Sequence, residues 1–165
     1  MKKNIKIIYL ILILNLIYSC AGYEPIFKSS SLNFKIEEYK LDGDKDTANK
    51  IYSSLKRAEN YKANNNDTTL INFFITTSKT NTATIKDSTG KIKEYKITVK
   101  AKIKVSEYLG DNILINETFE KSSSYKVQDN YSDTVTSENK SLQNLTDTIF
   151  QNLLNKLSVK ISNWW

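Results

Sequence analysis

The stretch from Ile97 to Ser106 limits the fold of this chain more than any other segment. Its odd positions are all apolar and are occupied by Ile97, Val99, Ala101, Ile103 and Val105. Lysine, threonine or serine occupies every even position. Successive side chains of a β-strand point to opposite faces, so this alternation predicts a strand with one face on a core and the other in water. A sheet with one apolar face needs a second layer of structure to cover it.

Three other segments show the same period of two and are predicted to be strands. They cover residues 33–41, residues 69–85, and a segment that runs through Ile113, Ile115 and Phe119 to Tyr125. Turn signals lie between the last three strands, at Asp87–Gly90 and Leu109–Asn112. Strands joined by such short turns form hairpins, so the sequence predicts a three-stranded meander preceded by one separate strand.

Apolar residues at spacings of three and four predict two helices. The first follows a capping aspartate, Asp44 or Asp46, ends near Asn60, and has a stripe of Ala48, Ile51, Tyr52, Leu55 and Ala58. The second begins near Asp133 and has a stripe of Leu142, Leu145, Ile149, Leu153, Leu157, Ile161 and Trp164. The predicted fold class is α+β: a two-layer sandwich in which two helices cover one face of a four-stranded sheet, in the order β-α-β-β-β-α.

The amino terminus has the pattern of a secretory signal peptide. Basic residues (MKKNIK) precede an apolar run from Ile7 to Ile17 that only Asn15 interrupts. A membrane-spanning helix needs about 20 apolar residues, so an uncleaved anchor helix is the less favoured alternative. The sequence Ile17-Tyr18-Ser19-Cys20 resembles the bacterial lipobox, which implies acylation of Cys20. We therefore divide the chain into a signal peptide (residues 1–19), a lipidated tether (20–31) and a single domain (32–165).

The composition argues against catalysis. The 165-residue chain has no histidine and only one cysteine, so serine–histidine, cysteine–histidine and histidine–metal chemistries are excluded. Its acidic residues are scattered among lysines. Removal of residues 1–19 leaves 146 residues, and the loss of three lysines reduces the net charge from +6 to +3. Such a small excess does not indicate a nucleic-acid partner. We expect a non-enzymatic protein without a metal or cofactor.

The residues after Cys20 carry a resemblance to a known family. They include Gly22, Tyr23, Pro25, Ile26 and Phe27. With the order of elements and the amphipathic last helix, this segment resembles the lipopolysaccharide-assembly lipoproteins (LptE-like proteins). The resemblance implies a non-enzymatic lipoprotein at the periplasmic face of the outer membrane. It also implies that the protein plugs and helps to assemble a large β-barrel, the lipopolysaccharide translocon, and that it binds lipopolysaccharide.

Four lysines are candidate ligand-binding residues: Lys96, Lys100, Lys102 and Lys104. The last three would be spaced about 6.6 Å apart along one strand face, as at a surface that binds the phosphates of lipid A. Leu70 and Phe74, on the preceding strand, would lie on the same face and could meet acyl chains. The alternative is an ordinary solvated sheet face that lysine keeps soluble.

The sequence is also consistent with a second function. The same anchor and sandwich would suit a lipid-anchored periplasmic binding domain, or an auxiliary domain of a transport system, that does not involve lipopolysaccharide.

Overall fold

A computed structural model describes residues 32–59, 68–110 and 112–162. They form six elements in the predicted order: β1 (Phe34–Gly43), α1 (Lys45–Arg57), β2 (Thr69–Lys86), β3 (Ile92–Glu107), β4 (Ile113–Lys126) and α2 (Tyr131–Ser162). The predicted α+β class and the order β-α-β-β-β-α are confirmed. The predicted signal peptide, the tether and the two carboxyl-terminal tryptophans lie outside the described residues.

The four strands form one mixed sheet in the order β1-β2-β3-β4. β1 pairs with β2 in parallel, whereas β2–β3 and β3–β4 are antiparallel. A parallel pair needs a connection that carries the chain back along the sheet, and α1 supplies it. The other two connections are hairpin turns, as the sequence predicts.

Both helices lie against the same side of the sheet, which we call the inner face. α1 contacts β1 and β2, α2 contacts β3 and β4, and the two helices contact each other. The apolar residues of β3, from Ile97 to Val105, are all fully buried there. With no disulfide among the described residues, this one apolar layer supplies the main stabilisation, at about 25 cal/mol per Å² of apolar surface buried.

The junction between β1 and α1 depends on a glycine. Gly43 lies directly beside Thr77 of β2 and has a φ of +80°. A Cβ atom at Gly43 would lie 1.9 Å from the carbonyl oxygen of Thr77. That oxygen accepts a hydrogen bond of 3.0 Å from the backbone N–H of Asp44, and the Thr77 hydroxyl donates one of 2.7 Å to the Asp44 carbonyl. Glycine is therefore the residue that lets the chain leave the sheet here.

Asp44 is the amino-terminal cap of α1. Its Oδ1 atom accepts a hydrogen bond of 2.9 Å from the backbone N–H of Thr47. The hydrogen bonding with Thr47 outweighs partial burial and lowers the pKa of the Asp44 carboxyl below its ordinary value. Of the two aspartates that the sequence offers as caps, Asp44 takes the role, while Asp46 lies in the first turn.

A polar cluster fastens the amino-terminal half of α2 to the sheet. The Tyr125 hydroxyl donates a hydrogen bond of 3.2 Å to Glu138, and the amide nitrogen of Asn81 donates to the same carboxylate at 3.0 Å. Burial, followed by the nearby charge of Glu138, raises the pKa of Tyr125 to about 12. The tyrosine therefore remains a hydrogen-bond donor at any physiological pH. Helix α2 begins at Tyr131, two residues before the predicted start.

The start of β4 differs from the sequence-based prediction. Ile115, Phe119 and Tyr125 face the core as expected, but Ile113 is 49 % exposed. The pairing with β3 shifts by one residue between Val105 and Ser106, and Leu114 takes the buried position instead. An inserted residue of this kind reverses the faces of the residues beyond it, so alternation alone could not reveal it.

The Gly43 junction gives a first prediction. We expect Gly43→Ala to lower the free energy of unfolding by about 3 kcal/mol or more, because it adds a steric overlap to an unfavourable φ. Gly90→Ala is the matched control, since Gly90 has a φ of +83° but no atom within 4 Å of the added Cβ. The control should lose only about 1–2 kcal/mol. Equal losses in urea denaturation would contradict the proposed overlap.

The Asp44 cap gives a second prediction. We expect Asp44→Ala to cost about 1 kcal/mol of unfolding free energy at pH 7. Because the folded protein holds the Asp44 pKa below the unfolded value of about 3.9, this contribution is complete above that pH. It is then lost as the pH falls through the folded pKa. Denaturation of both proteins between pH 7 and pH 2 measures the difference, and a constant difference would contradict this assignment. Asp44→Asn, which keeps an acceptor without a charge, is the control.

Candidate functional site

The side of the sheet opposite the helices, which we call the outer face, is not covered by any described element. Along β3, every residue from Ile97 to Val105 at an odd position is buried, and the lysines between them are exposed. The same alternation that builds the core therefore directs the candidate lysines away from it. The ligand-binding role of these lysines remains a prediction, but their position on one surface is established.

The strand register sets the surroundings of each candidate lysine. Lys96, Lys100, Lys102 and Lys104 lie opposite Thr82, Ser78, Thr76 and Phe74 of β2, respectively. On the other side they lie opposite Ser124, Glu120, Thr118 and Asn116 of β4. The cationic row thus runs along the middle of the outer face, between neighbours that are mostly hydroxyl-bearing or amide side chains. We call these four residues the lysine row.

Most of the positive charge of the lysine row is not neutralised. Lys100 forms an ion pair with Glu120 at 3.7 Å, and both side chains are more than half exposed. An ion pair this exposed contributes about 0–1 kcal/mol and leaves Lys100 able to exchange partners. The other three lysines have no ion-pair partner within residues 32–59, 68–110 and 112–162. The lysine row therefore carries a net positive charge on the outer face.

Apolar side chains lie beside the lysine row, as the sequence predicts. Phe74 is the direct cross-strand neighbour of Lys104, and Leu70 lies on the same face nearer the start of β2. Both are half-buried, so each still presents apolar surface to solvent. A cation next to exposed apolar surface suits a ligand that has an anionic group and an acyl chain.

Several grooves lie beside the helices. One of about 350 Å³ lies between α1 and α2 and is lined by Ser54, Arg57, Ala58, Asp147, Phe150, Gln151 and Leu154. Another of about 420 Å³ lies between β4 and α2, where Lys156 pairs with Glu117 and stands 5.9 Å from the ring centre of Phe119. None of these grooves is lined by a residue of the lysine row, which lies on the open surface of the sheet.

The described part of the chain contains no group of three His, Cys, Asp or Glu side chains able to hold a metal ion. Within the same residues, no helix is long and apolar enough to cross a membrane. Cys20, the predicted lipidation site, and the Tyr23–Phe27 segment lie outside them. The structure therefore bears on the domain and not on the predicted anchor.

Sequence reasoning missed one surface feature, the apolar tip of the β3–β4 hairpin. Leu109 is 86 % exposed, and Tyr108 and Ile113 are 42 % and 49 % exposed. We call these three residues the apolar tip. The signal was present in the sequence, because two large apolar residues directly precede the Gly110 turn, where polar residues are usual.

Comparison with known proteins supports the fold. No protein-family model matches the sequence, and no curated protein matches it. Solved structures do match in shape. A presumed lipoprotein from Caulobacter crescentus matches with a TM-score of 0.57 at 8 % identity, over 82 % of this chain and 93 % of that one.

Two further structures give the same result. Uncharacterized lipoprotein B from Nitrosomonas europaea has a TM-score of 0.57 and 12 % identity, over 86 % of this chain and 93 % of that chain. A minor lipoprotein from Acinetobacter baumannii has a TM-score of 0.54 and 14 % identity, over 78 % of this chain and 93 % of that chain. At these identities the shared property is the fold, a two-layer α+β sandwich that bacterial lipoproteins also use.

Proposed function

We propose that this chain is a non-enzymatic lipoprotein of the outer membrane that plugs and helps to assemble the β-barrel lipopolysaccharide translocon. In this role it binds lipopolysaccharide as the lipid is delivered to the cell surface. The observation that carries the proposal is the lysine row on the uncovered outer face, beside Phe74 and Leu70. The fold shared with several bacterial lipoproteins and the sequence around Cys20 support it.

The anchor is the first part of the proposal. Cys20 lies 12 residues before Leu32, the first described residue, and an extended tether of that length reaches about 40 Å at most. Several acyl chains on one cysteine give stable attachment, at about 0.8 kcal/mol per buried methylene. The domain would thus remain close to the periplasmic face of the outer membrane.

Lipopolysaccharide binding follows from the chemistry of the outer face. Lipid A has phosphates on a sugar core and acyl chains below it. Ammonium groups spaced about 6.6 Å apart can meet separate phosphate oxygens. The half-buried ring of Phe74 offers an apolar surface within one strand spacing of Lys104. Ser78 and Thr76, opposite Lys100 and Lys102, add hydroxyl groups that can donate to phosphate or sugar oxygens.

The barrel partner is the third part of the proposal. A domain that fills a barrel lumen needs surface for the wall on several sides. Among the residues that the structure describes, no element covers the outer face and no further strand pairs with β1 or β4. β1 is the more protected edge, because it is interrupted by a bulge between Ile36 and Glu38, and Glu59 accepts a hydrogen bond from the Ile36 N–H at 2.8 Å. β4 is the longer edge, with a regular register from Ile115 to Lys126, and is the better candidate for contact with a barrel wall.

The lysine row gives a third prediction. Changing Lys100, Lys102 and Lys104 together to Glu should weaken binding to immobilised lipopolysaccharide at least tenfold, since three attractions become repulsions. The circular dichroism spectrum should not change, because all three side chains are exposed. The matched control carries the same charge change on the helical side, at the exposed Lys45, Lys50 and Lys140. Equal loss in both triple variants, or no loss in either, would contradict specific binding by the outer face.

Co-purification gives a fourth prediction and separates the two functional readings. The intact lipoprotein, affinity-purified from detergent-extracted outer membranes, should retain a large β-barrel protein in stoichiometric amount. Mass spectrometry identifies that partner, and the control is the same purification of an unrelated outer-membrane lipoprotein. Recovery of an anchored protein without any barrel would favour the alternative, a periplasmic binding or transport-auxiliary domain that does not act on lipopolysaccharide.

A further inference from the structure

The outer face changes in chemistry along the length of β3. Toward the β3–β4 hairpin, Lys104 lies beside the half-buried ring of Phe74. On the other side of that ring lies Lys40 of β1, which forms an exposed ion pair with Asp42 at 3.3 Å. Neighbouring strands are about 4.8 Å apart, so Phe74 is an apolar side chain with a cation on each side.

Toward the β2–β3 hairpin, hydroxyl groups take the place of this apolar surface. Five hydroxyl-bearing residues occupy two adjacent outward-facing rows of the sheet. We call them the hydroxyl block: Thr80, Thr82, Thr98, Ser122 and Ser124. The first row crosses three strands, because Thr98 lies opposite Thr80 on one side and opposite Ser122 on the other. The second row has Lys96 at its centre, between Thr82 and Ser124.

The hydroxyl groups of the block are available to a ligand. Four of the five residues are exposed, and Thr98 at the centre is half-buried. None of the five has a side-chain hydrogen-bond partner among the residues that the structure describes. The block ends at a register shift between Ala83 and Ile85, where the Thr84 hydroxyl donates a hydrogen bond of 3.0 Å to the Glu94 carboxylate.

The hydroxyl block and the lysines suit different parts of a ligand. A lysine ammonium group only donates hydrogen bonds, whereas a hydroxyl group both donates and accepts them. A sugar ring carries several hydroxyl groups and therefore needs partners of both kinds. The residues of the block are spaced about 4.8 Å apart across the strands and about 6.6 Å apart along them, so one saccharide can contact several of them.

The charge of this region indicates that the sugars are acidic. Exposed hydroxyl groups compete with water and contribute little binding energy by themselves. Lys96 lies within the block and has no ion-pair partner in the described part of the chain. It lies about 13 Å from Lys100, because Thr98 occupies the outward position between them. Lys96 is therefore a separate cation among hydroxyl groups, which fits an acidic glycan.

We propose that the hydroxyl block with Lys96 is a glycan subsite, which binds the acidic sugars of lipopolysaccharide that extend beyond lipid A. The acyl chains of the same molecule lie at Phe74 and Leu70, and its lipid A phosphates lie at Lys100, Lys102 and Lys104. From Phe74 to Thr82 this surface is about 26 Å long. The inference rests on the lipopolysaccharide binding included in the proposed function and gives the bound lipid one direction on the sheet.

The test removes hydroxyl groups without changing the charge. The hydroxyl variant combines Thr80→Val, Thr98→Val and Ser122→Ala, in which valine keeps the shape of threonine and its preference for strands. The matched control combines Ser53→Ala, Thr136→Val and Thr148→Val, at exposed positions of the two helices. The intact lipoprotein is immobilised, and its affinity is measured for complete lipopolysaccharide and for lipid A alone. Circular dichroism verifies that all three proteins are folded.

We expect the wild type to bind complete lipopolysaccharide at least about fivefold more tightly than lipid A, since several hydrogen bonds are added. The hydroxyl variant should bind both ligands with the affinity that the wild type has for lipid A. The helical control should keep the wild-type preference. The acidic oligosaccharide released from lipid A by mild acid should inhibit lipopolysaccharide binding by the wild type, and not by the hydroxyl variant.

A preference for complete lipopolysaccharide that survives in the hydroxyl variant would overturn the glycan subsite. If that variant instead loses a co-purifying barrel, the block faces the barrel wall and the proposal is likewise overturned. Equal affinity of the wild type for both ligands would overturn the subsite alone and leave lipid A binding by the lysine row intact. A wild type that binds neither ligand would overturn the proposed function as well, so the two failures are distinguishable.

Discussion

The burial of one apolar layer between the sheet and two helices is the interaction on which this structure depends. Among the described residues, no disulfide bond or metal site contributes to the stability of the fold. Every odd-numbered residue of β3 from Ile97 to Val105 is buried in the core on the inner face, and the residues between them lie on the outer face. Stability and surface chemistry are therefore linked through a single strand. A substitution that shifted the register of β3 would lose the core and bury the lysines at once.

Two sets of local polar contacts fix the orientation of the helices relative to the sheet, which apolar packing alone does not define. At the exit of β1, Gly43 allows the backbone to pass the Thr77 carbonyl, and Asp44 then caps α1. Toward the β2–β3 hairpin, Tyr125 and Asn81 both donate hydrogen bonds to Glu138 of α2, and the rings of Tyr125 and Tyr95 stack with their centres 5.7 Å apart. The contacts at the β1–α1 junction set the direction of α1. The contacts to Glu138 hold the amino-terminal half of α2 against the sheet.

Most of the fold was predictable because its elements are long and strongly periodic. The alternation of β3, the Asp87–Gly90 turn and the stripe of α1 each depend on neighbours in the sequence, and all three were predicted correctly. The outward direction of the lysine row followed from the same alternation. The exposure of Ile113 did not, because the inserted residue at Leu114 is set by the pairing between two strands. The Tyr125–Glu138 contact likewise joins residues whose pairing no local pattern reveals.

The position of α2 at the end of the described chain has a consequence for how the molecule reaches its native state. Hairpins join the last three strands, so β2, β3 and β4 can pair locally before the last helix is available. Until α2 docks, it does not cover the inner-face side chains of β3 and β4. An intermediate without this helix exposes a large apolar surface that favours aggregation. Docking of α2 covers these side chains, and Glu138 of that helix then accepts hydrogen bonds from Tyr125 and Asn81 of the sheet.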